Sequence, residues 1–428
     1  MRATRISFQV LEFLGLWRPE SWKTKRFNIL YNIINIISLI NIYFLTTGFI
    51  IVTIQNFDKV GDNSENTSCS LVAFMFCFKM TYFYVYRDEI INFLNMFLQE
   101  TCIPRDKYEM SIWKGCEDFS RFLTRIFVIM CCTVVVGTSF LPLLNMKNIQ
   151  LPFNCWTPFD IDSEFRFWVN YFYLAYSSFV VICGTAAVEV VASILMQLMC
   201  AQLEIMGYRL LKLISLENNN YSTKDFFKYQ SAILKDCITH HIYLYSIEKR
   251  LNEIFGFMVA LQFLVSTLNI CTSCYQLTKL NPNSSRFWTL FAVTVCFLTQ
   301  ISYYCFPGEK MIQKSMALKD EIYKMDWNLL TKETKHNLLI IMMRANQPMQ
   351  LSGASIVNMS VETLVKNTTT IKHRFWFSDF PSVLFFYIDF MYNWLLFNKS
   401  KCKRCIFLVC NDDDGCICFG DLHVLLVW

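Results

Sequence analysis

Seven stretches of this sequence are long and apolar enough to demand a bilayer around them. A helix crosses the hydrocarbon with about 20 mostly apolar residues. Residues 31–53, 69–86, 126–144, 168–197, 254–275, 287–306 and, more weakly, 348–366 meet that requirement. In lipid the backbone N–H and C=O groups have no water to bond, so a spanning segment is either a helix or a strand of a closed barrel. Barrel strands alternate apolar and polar residues over about 10 positions, whereas these runs are continuous. The expected fold class is therefore all-α, a polytopic membrane protein with seven transmembrane helices. Composition agrees: 54% of the 428 residues are hydrophobic and 17% charged, against about 45–50% and 25% in ordinary soluble domains.

Lys and Arg set the orientation, because basic residues near span ends stay on the cytoplasmic side. The N-terminal gap and the gaps after spans two, four and six carry 26 of them, and the three alternate gaps carry 5. The N-terminus is expected in the cytoplasm, the inverse of a G-protein-coupled receptor. The net charge of +5 is read as this orientation charge and not as a nucleic-acid footprint. Two sequons fall in gaps assigned outside, which makes Asn66 and Asn283 the candidate glycosylation sites; a third, Asn220-Tyr221-Ser222, lies in a cytoplasmic gap and shows how readily the tripeptide arises by chance. No cleavable signal peptide is expected, since the first apolar stretch is broken by Glu12 and followed by no small-residue cleavage site.

Nineteen cysteines suggest a disulfide scaffold until they are located. Cys77, Cys131, Cys132, Cys183, Cys271, Cys274, Cys296 and Cys305 lie in spans, where a thiol is a small hydrophobe. Only Cys69 and Cys155 are placed to pair on the outer face. Inside the cell, Leu203, Met206, Leu210 and Leu213, then Leu318, Ile322, Met325 and Leu329, repeat at helical spacing past spans four and six. Such faces pack within one subunit or against another.

The chain resembles the insect odorant receptor family over residues 1–366. Leu14-Gly15-Leu16-Trp17 is similar to the family's opening, and Leu151-Pro152-Phe153, Trp156, Pro158 and Asp160 to its second outer gap. The strongest likeness runs through Tyr304-Cys305, Gly308-Glu309, Ser315, Ile322-Tyr323 and Trp327, then Met342-Met343-Arg344-Ala345, Pro348, Leu351, Gly353 and Ser360-Val361-Glu362-Thr363. The resemblance implies an odorant-gated, non-selective cation channel of inverted topology in the plasma membrane of olfactory neurons. It also implies a heterotetramer with an obligate co-receptor subunit, anchored by the cytoplasmic helices, with the seventh helix lining the pore. The co-receptor is longer, so this chain looks like the ligand-binding subunit.

No P-loop, HExxH or GxSxG motif is present, no cofactor is expected, and the adjacent His240-His241 suit a solvated or interface role better than a metal site. A small volatile apolar odorant needs a pocket of aromatic and aliphatic side chains with few polar groups. The resemblance places it among spans two to six in the outer half of the membrane. The candidates there are Phe74 and Phe78, Gly137 and Phe140, Tyr171, Tyr173, Tyr176 and Ser177, and Phe291. Lys79 is expected to snorkel or to face a water-filled cavity, and Glu189 to serve polar packing of the bundle. Ser355, Asn358, Ser360 and Glu362 make the last span polar enough to line a pore.

After Lys366 the likeness stops, and residues 367–428 form an atypical tail. Three readings of it stay open: translated intron or a frameshifted exon, giving a truncated receptor that does not conduct; an alternative end with an eighth span over 382–397; and a metal site on Cys402, Cys405, Cys410, Cys416 and Cys418. A transporter is the alternative from another class, but it would show an inverted repeat with broken helices at midplane, and none is found.

Overall fold

The computed structural model describes residues 4–18, 25–56, 64–144, 151–158, 163–215, 223–281, 283–353, 357–364 and 366. The tail, including the proposed eighth span and its cysteine cluster, lies outside the described residues. Among the described residues the named α-helices follow in chain order: α1 Arg5–Phe13, α2 Lys25–Gln55, α3 Ser64–Val85, α4 Arg87–Met96, α5 Lys107–Leu144, α6 Glu164–Ser215, α7 Thr223–Leu277, α8 Ser285–Tyr323 and α9 Lys332–Ala345. Among the described residues six helices are long and apolar enough to cross a membrane, namely α2, α3, α5, α6, α7 and α8. They contain the first six predicted spans.

The helices α6 and α7 far exceed a bilayer, and α5 and α8 exceed it moderately. At 1.5 Å per residue, α6 with 52 residues and α7 with 55 are each about 80 Å long against roughly 30 Å of hydrocarbon. Their inner halves therefore stand in the cytoplasm beside the end of α8. α6 is the axis of the bundle: nearly every side chain from Val180 to Leu213 is buried. Small residues make that possible, for a Cβ added at Gly184 would sit 2.5 Å from Phe76 Cζ of α3. Leu203, Met206, Leu210 and Leu213 are buried, as are Leu318, Ile322 and Met325, so both inner stripes pack within the subunit.

The buried cytoplasmic core is also polar. Arg209 of α6 makes a two-pronged pair with Glu109 of α5 (Nε–Oε1 3.0 Å, Nη2–Oε2 2.9 Å) and donates to the carbonyls of Thr101 and Ile103 at 2.9 and 3.1 Å. Gln202 Oε1 accepts from His240 Nε2 at 3.0 Å, and Gln202 Nε2 donates to the Cys102 carbonyl at 2.8 Å. His240 and His241 are 0% and 5% exposed, which corrects the solvated reading. His240 lies about 21 Å of helix inward from the span at 254–275; there burial, and after it the Arg209 guanidinium, pushes the imidazole down to about 3.

The N-terminal helix ends in a Schellman motif. Gly15 has φ +72°, Leu16 N–H bonds the Leu11 carbonyl at 2.8 Å and Gly15 N–H the Glu12 carbonyl at 3.1 Å. This turn is pinned to α2, because Tyr31 Oη donates to the Trp17 carbonyl (2.5 Å) and Asn35 Nδ2 to that of Gly15 (2.9 Å). Trp17 then lies under the Arg87 guanidinium, 5.1 Å from its ring centre.

The predicted seventh span is corrected over most of its length. Residues 348–353 and 357–359 are not helical: Ser352–Gly353 and Val357–Asn358 pair as two short antiparallel strands. Pro348 lacks an N–H, and the N–H groups of Met349, Gln350 and Ser352 bond side chains of α7 and α8 instead of a preceding turn. Helix resumes at Val361, with Ser360 as its cap: Ser360 Oγ accepts from Thr363 N–H at 3.2 Å.

Candidate functional site

The predicted ligand residues divide into two groups. Tyr171 is 2% exposed and donates its hydroxyl to the Ser139 carbonyl of α5. Ser177, 1% exposed, donates to Asn41 Oδ1 of α2 at 3.0 Å. Tyr173 meets Phe44 of α2 edge-on at 6.1 Å, its hydroxyl buried near Ser177. Phe78 joins α3 to α7, its ring 5.8 Å from Phe257. Gly137 and Phe291 are half-buried, Phe291 packing on Trp288 at 5.9 Å. Phe74, Phe140 and Tyr176 are 49%, 60% and 61% exposed. They face outward, where lipid would lie, and the structure does not bring them to the others.

Helical arcs explain the division. α6 turns Tyr171, Leu174, Ser177 and Ser178 inward and Phe172, Tyr176 and Phe179 outward, but aromatic residues stand in both sets, so the large side chains alone mark no face. The missed residues are Asn41 and Phe44 on α2 and Ser139 on α5. Asn41 carried a signal: an amide within an apolar run seeks a partner on a neighbouring helix.

Deeper in the bundle lies a polar cluster of four helices. Lys79 Nζ of α3 and Glu189 Oε1 of α6 are 2.7 Å apart, both 0% exposed. The same Oε1 accepts from Gln300 Nε2 of α8. Gln300 Oε1 accepts from Ser266 of α7 at 2.9 Å, and Ser266 accepts from Gln262 Nε2 at 2.7 Å. Glu189 Oε2 and the Tyr304 hydroxyl, one turn on from Gln300, are buried with no hydrogen-bond partner. Lys79 thus neither snorkels nor faces water. Its charge is neutralised by the residue expected only to pack, and the two charges together add nothing net to the interior.

The remaining predicted sites stand apart. Ser355 lies outside the described residues. Asn358 is exposed in the second short strand, Ser360 caps the last helix, and Glu362 pairs with Lys366 at 2.6 Å, both 73% exposed. Asn283 is exposed. Asn66 is 7% exposed, with Nδ2 against the Phe49 carbonyl (3.5 Å) and Thr53 Oγ1 (3.3 Å). That is a position without room for a glycan. Cys69 and Cys155 are not joined in a disulfide, and Cys155 sits against α2, its Sγ 3.9 Å from the Leu45 carbonyl. Among the described residues no group of His, Cys, Asp and Glu is placed to hold a metal ion.

A basic cytoplasmic N-terminus, six long apolar helices of which several are prolonged inward, and a last helix that starts after a short strand pairing define a polytopic all-α membrane protein. The 7tm Odorant receptor family model matches residues 59–370, and the chain belongs to that family. It is similar to Odorant receptor 67a of Drosophila melanogaster, 25% identical over 282 residues that cover 62% of this chain and 68% of the relative. The odorant receptor coreceptor of the same fly is 23% identical over 150 residues, 35% of this chain and 31% of the coreceptor. The fold matches the olfactory receptor OR5 of Machilis hrabei with a TM-score of 0.74 at 15% identity, covering 87% of this chain and 96% of that one. The eugenol complex of that receptor matches with the same TM-score.

Proposed function

We propose that this chain is the odorant-binding subunit of a heteromeric, odorant-gated, non-selective cation channel formed with a co-receptor subunit in the plasma membrane. The observation that carries the reading is the outer face of α9. Its inner face buries Thr334, Leu338, Ile341 and Ala345, while Leu339, Ile340 and Met343 are 48%, 47% and 64% exposed. A helix outside the membrane that shows such a stripe requires a protein partner, and a second subunit meets the need. Family membership and the inverted charge pattern point the same way.

The proposed ligand is a small volatile apolar odorant held by Phe78, Tyr171, Tyr173 and Ser177, with Gly137 and Phe291 proposed to complete the set. Tyr173 and Ser177 supply the few polar atoms that would orient it. Phe74, Phe140 and Tyr176 are assigned to lipid contact, and nucleic acid has no part. Ser360 and Glu362 stand at the start of the seventh helix, where an exposed carboxylate concentrates cations at a pore mouth, and Asn358 belongs to that mouth.

The test is co-expression with the co-receptor, a panel of volatile alcohols, esters and phenols, and recording of currents, for the chain as it stands and for a version with a family-type ending after Lys366. Cation current on odorant application is expected. If both versions reach the surface and neither responds, the proposal is wrong.

A further inference from the structure

Between α9 and the last helix, the N–H groups of Met349, Gln350 and Ser352 are bonded to side chains of α7 and α8. Tyr245, Glu248 and Asn252 stand at i, i+3 and i+7 on α7, which is one face of a helix. Tyr245 Oη donates to the carbonyls of Arg344 and Gln347 at 3.1 and 3.3 Å. Glu248 Oε1 accepts from Gln350 N–H at 3.0 Å. Asn252 accepts from Ser352 N–H at 2.8 Å and donates to the Gln350 carbonyl at 3.0 Å. From α8, Ser315 accepts from Met349 N–H at 3.1 Å and Glu309 from Val361 N–H at 3.4 Å.

The segment also has no slack. A Cβ at Gly353 would lie 2.8 Å from Ala260 Cβ of α7, and one at Gly308 of α8 would lie 2.2 Å from the Met359 carbonyl oxygen. Met349, Leu351 and Met359 are wholly buried. Discrete pairings in a close-packed setting switch between arrangements and do not stretch. Both α7 and α8 run unbroken from this contact into the bundle, where α7 meets Phe78 through Phe257 and α8 meets Glu189 through Gln300.

We infer that the Glu248–Asn252 stripe of α7, with Glu309 of α8, couples movement of the odorant-bearing helices to the start of the seventh helix. These are positioning residues, since none of them touches odorant or ion. The inference rests on the channel reading above and adds to it the place where ligand binding becomes pore movement.

The experiment uses the full chain with its co-receptor, the same odorant panel, and surface labelling to count channels. Glu248→Leu and Asn252→Leu are expected to lower the maximal odorant current per surface channel about tenfold, the size of effect that loss of a hydrogen bond to a charged or doubly bonded group has on a two-state equilibrium. The odorant concentration at half-maximum is expected to move by less than about twofold, because the ligand contacts are untouched. Glu248→Gln keeps the acceptor and should restore most of the current. Asn252→Asp, which keeps the Ser352 acceptor and loses only the donor to Gln350, carries the test where a leucine variant fails to reach the surface; about a threefold loss is expected of it. A conducting wild type whose variants keep the full current per channel, or lose only apparent affinity, overturns the coupling and leaves the channel reading intact. A wild type that reaches the surface and answers no odorant overturns both.

Discussion

Replacing Glu189 by Leu strands Lys79, and the size of the damage follows from its surroundings. The ammonium is 0% exposed and its carboxylate partner is 2.7 Å away. Removing one member of a buried pair costs about 3–5 kcal/mol, because the other charge stays in a medium that cannot solvate it. Gln300 loses an acceptor as well, a further loss of about 1–3 kcal/mol if its N–H finds no substitute. The double variant Lys79→Met, Glu189→Leu is different: two charges leave together, and apolar replacements of similar volume are neutral or stabilising by about 1–4 kcal/mol. The assay is a double-mutant cycle on detergent-purified protein, with unfolding midpoints at fixed protein and detergent concentration. Each single variant should melt far below wild type, while the double variant should lie within about 2 kcal/mol of it or above. Additive losses, with the double variant as damaged as both singles combined, would refute the reasoning, since the charges would then be independent.

Three further outcomes are expected. His240 is held near 3 in the fold against about 6.5 when unfolded, so the unfolded chain takes up a proton that the folded chain refuses. Stability is therefore full above about 6.5 and declines by roughly 1.4 kcal/mol per pH unit between 6.5 and 3; His240→Gln should flatten that decline in pH-dependent unfolding. Gly184→Ala brings a methyl to 2.5 Å from Phe76 Cζ and should cost about 1–3 kcal/mol by overpacking, read as a lower melting midpoint that Phe76→Leu partly restores. Asn283→Gln should abolish a glycosidase-sensitive shift on a gel, whereas Asn66→Gln should leave it unchanged.

Six spans and their orientation are legible because their signals are local: a continuous apolar run, and basic residues beside its end. What the bundle does with those spans is not local. Lys79 and Glu189 are 110 residues apart, and nothing near either one names the other. Phe172 and Tyr171 are neighbours of like chemistry, yet one is 65% exposed and the other 2%. In lipid an outward aromatic loses nothing, so no polar residue marks the outer face. The non-helical backbone that begins at Pro348 was hidden for another reason. Its apolar residues have the count of a weak span, but the groups that replace helical hydrogen bonds there, Glu248, Asn252 and Ser315, sit 34 to 102 residues away. The aromatic and hydroxyl residues of α6 could be proposed for ligand contact from type and position, whereas their partners Asn41 and Ser139 emerge only when α2 and α5 are laid against it.

The pairing of Lys79 with Glu189 also has a consequence for how the chain is made. A ribosome adding about 5–20 residues per second needs roughly 5–20 s to synthesise the 110 residues that separate the two. For that interval span two carries an unneutralised ammonium that hydrocarbon disfavours by about 2.5–3.5 kcal/mol. Span two is therefore expected to stay at the insertion machinery, or at its aqueous edge, until span four arrives with the counter-charge, so that a partly assembled group and not a single helix enters the lipid.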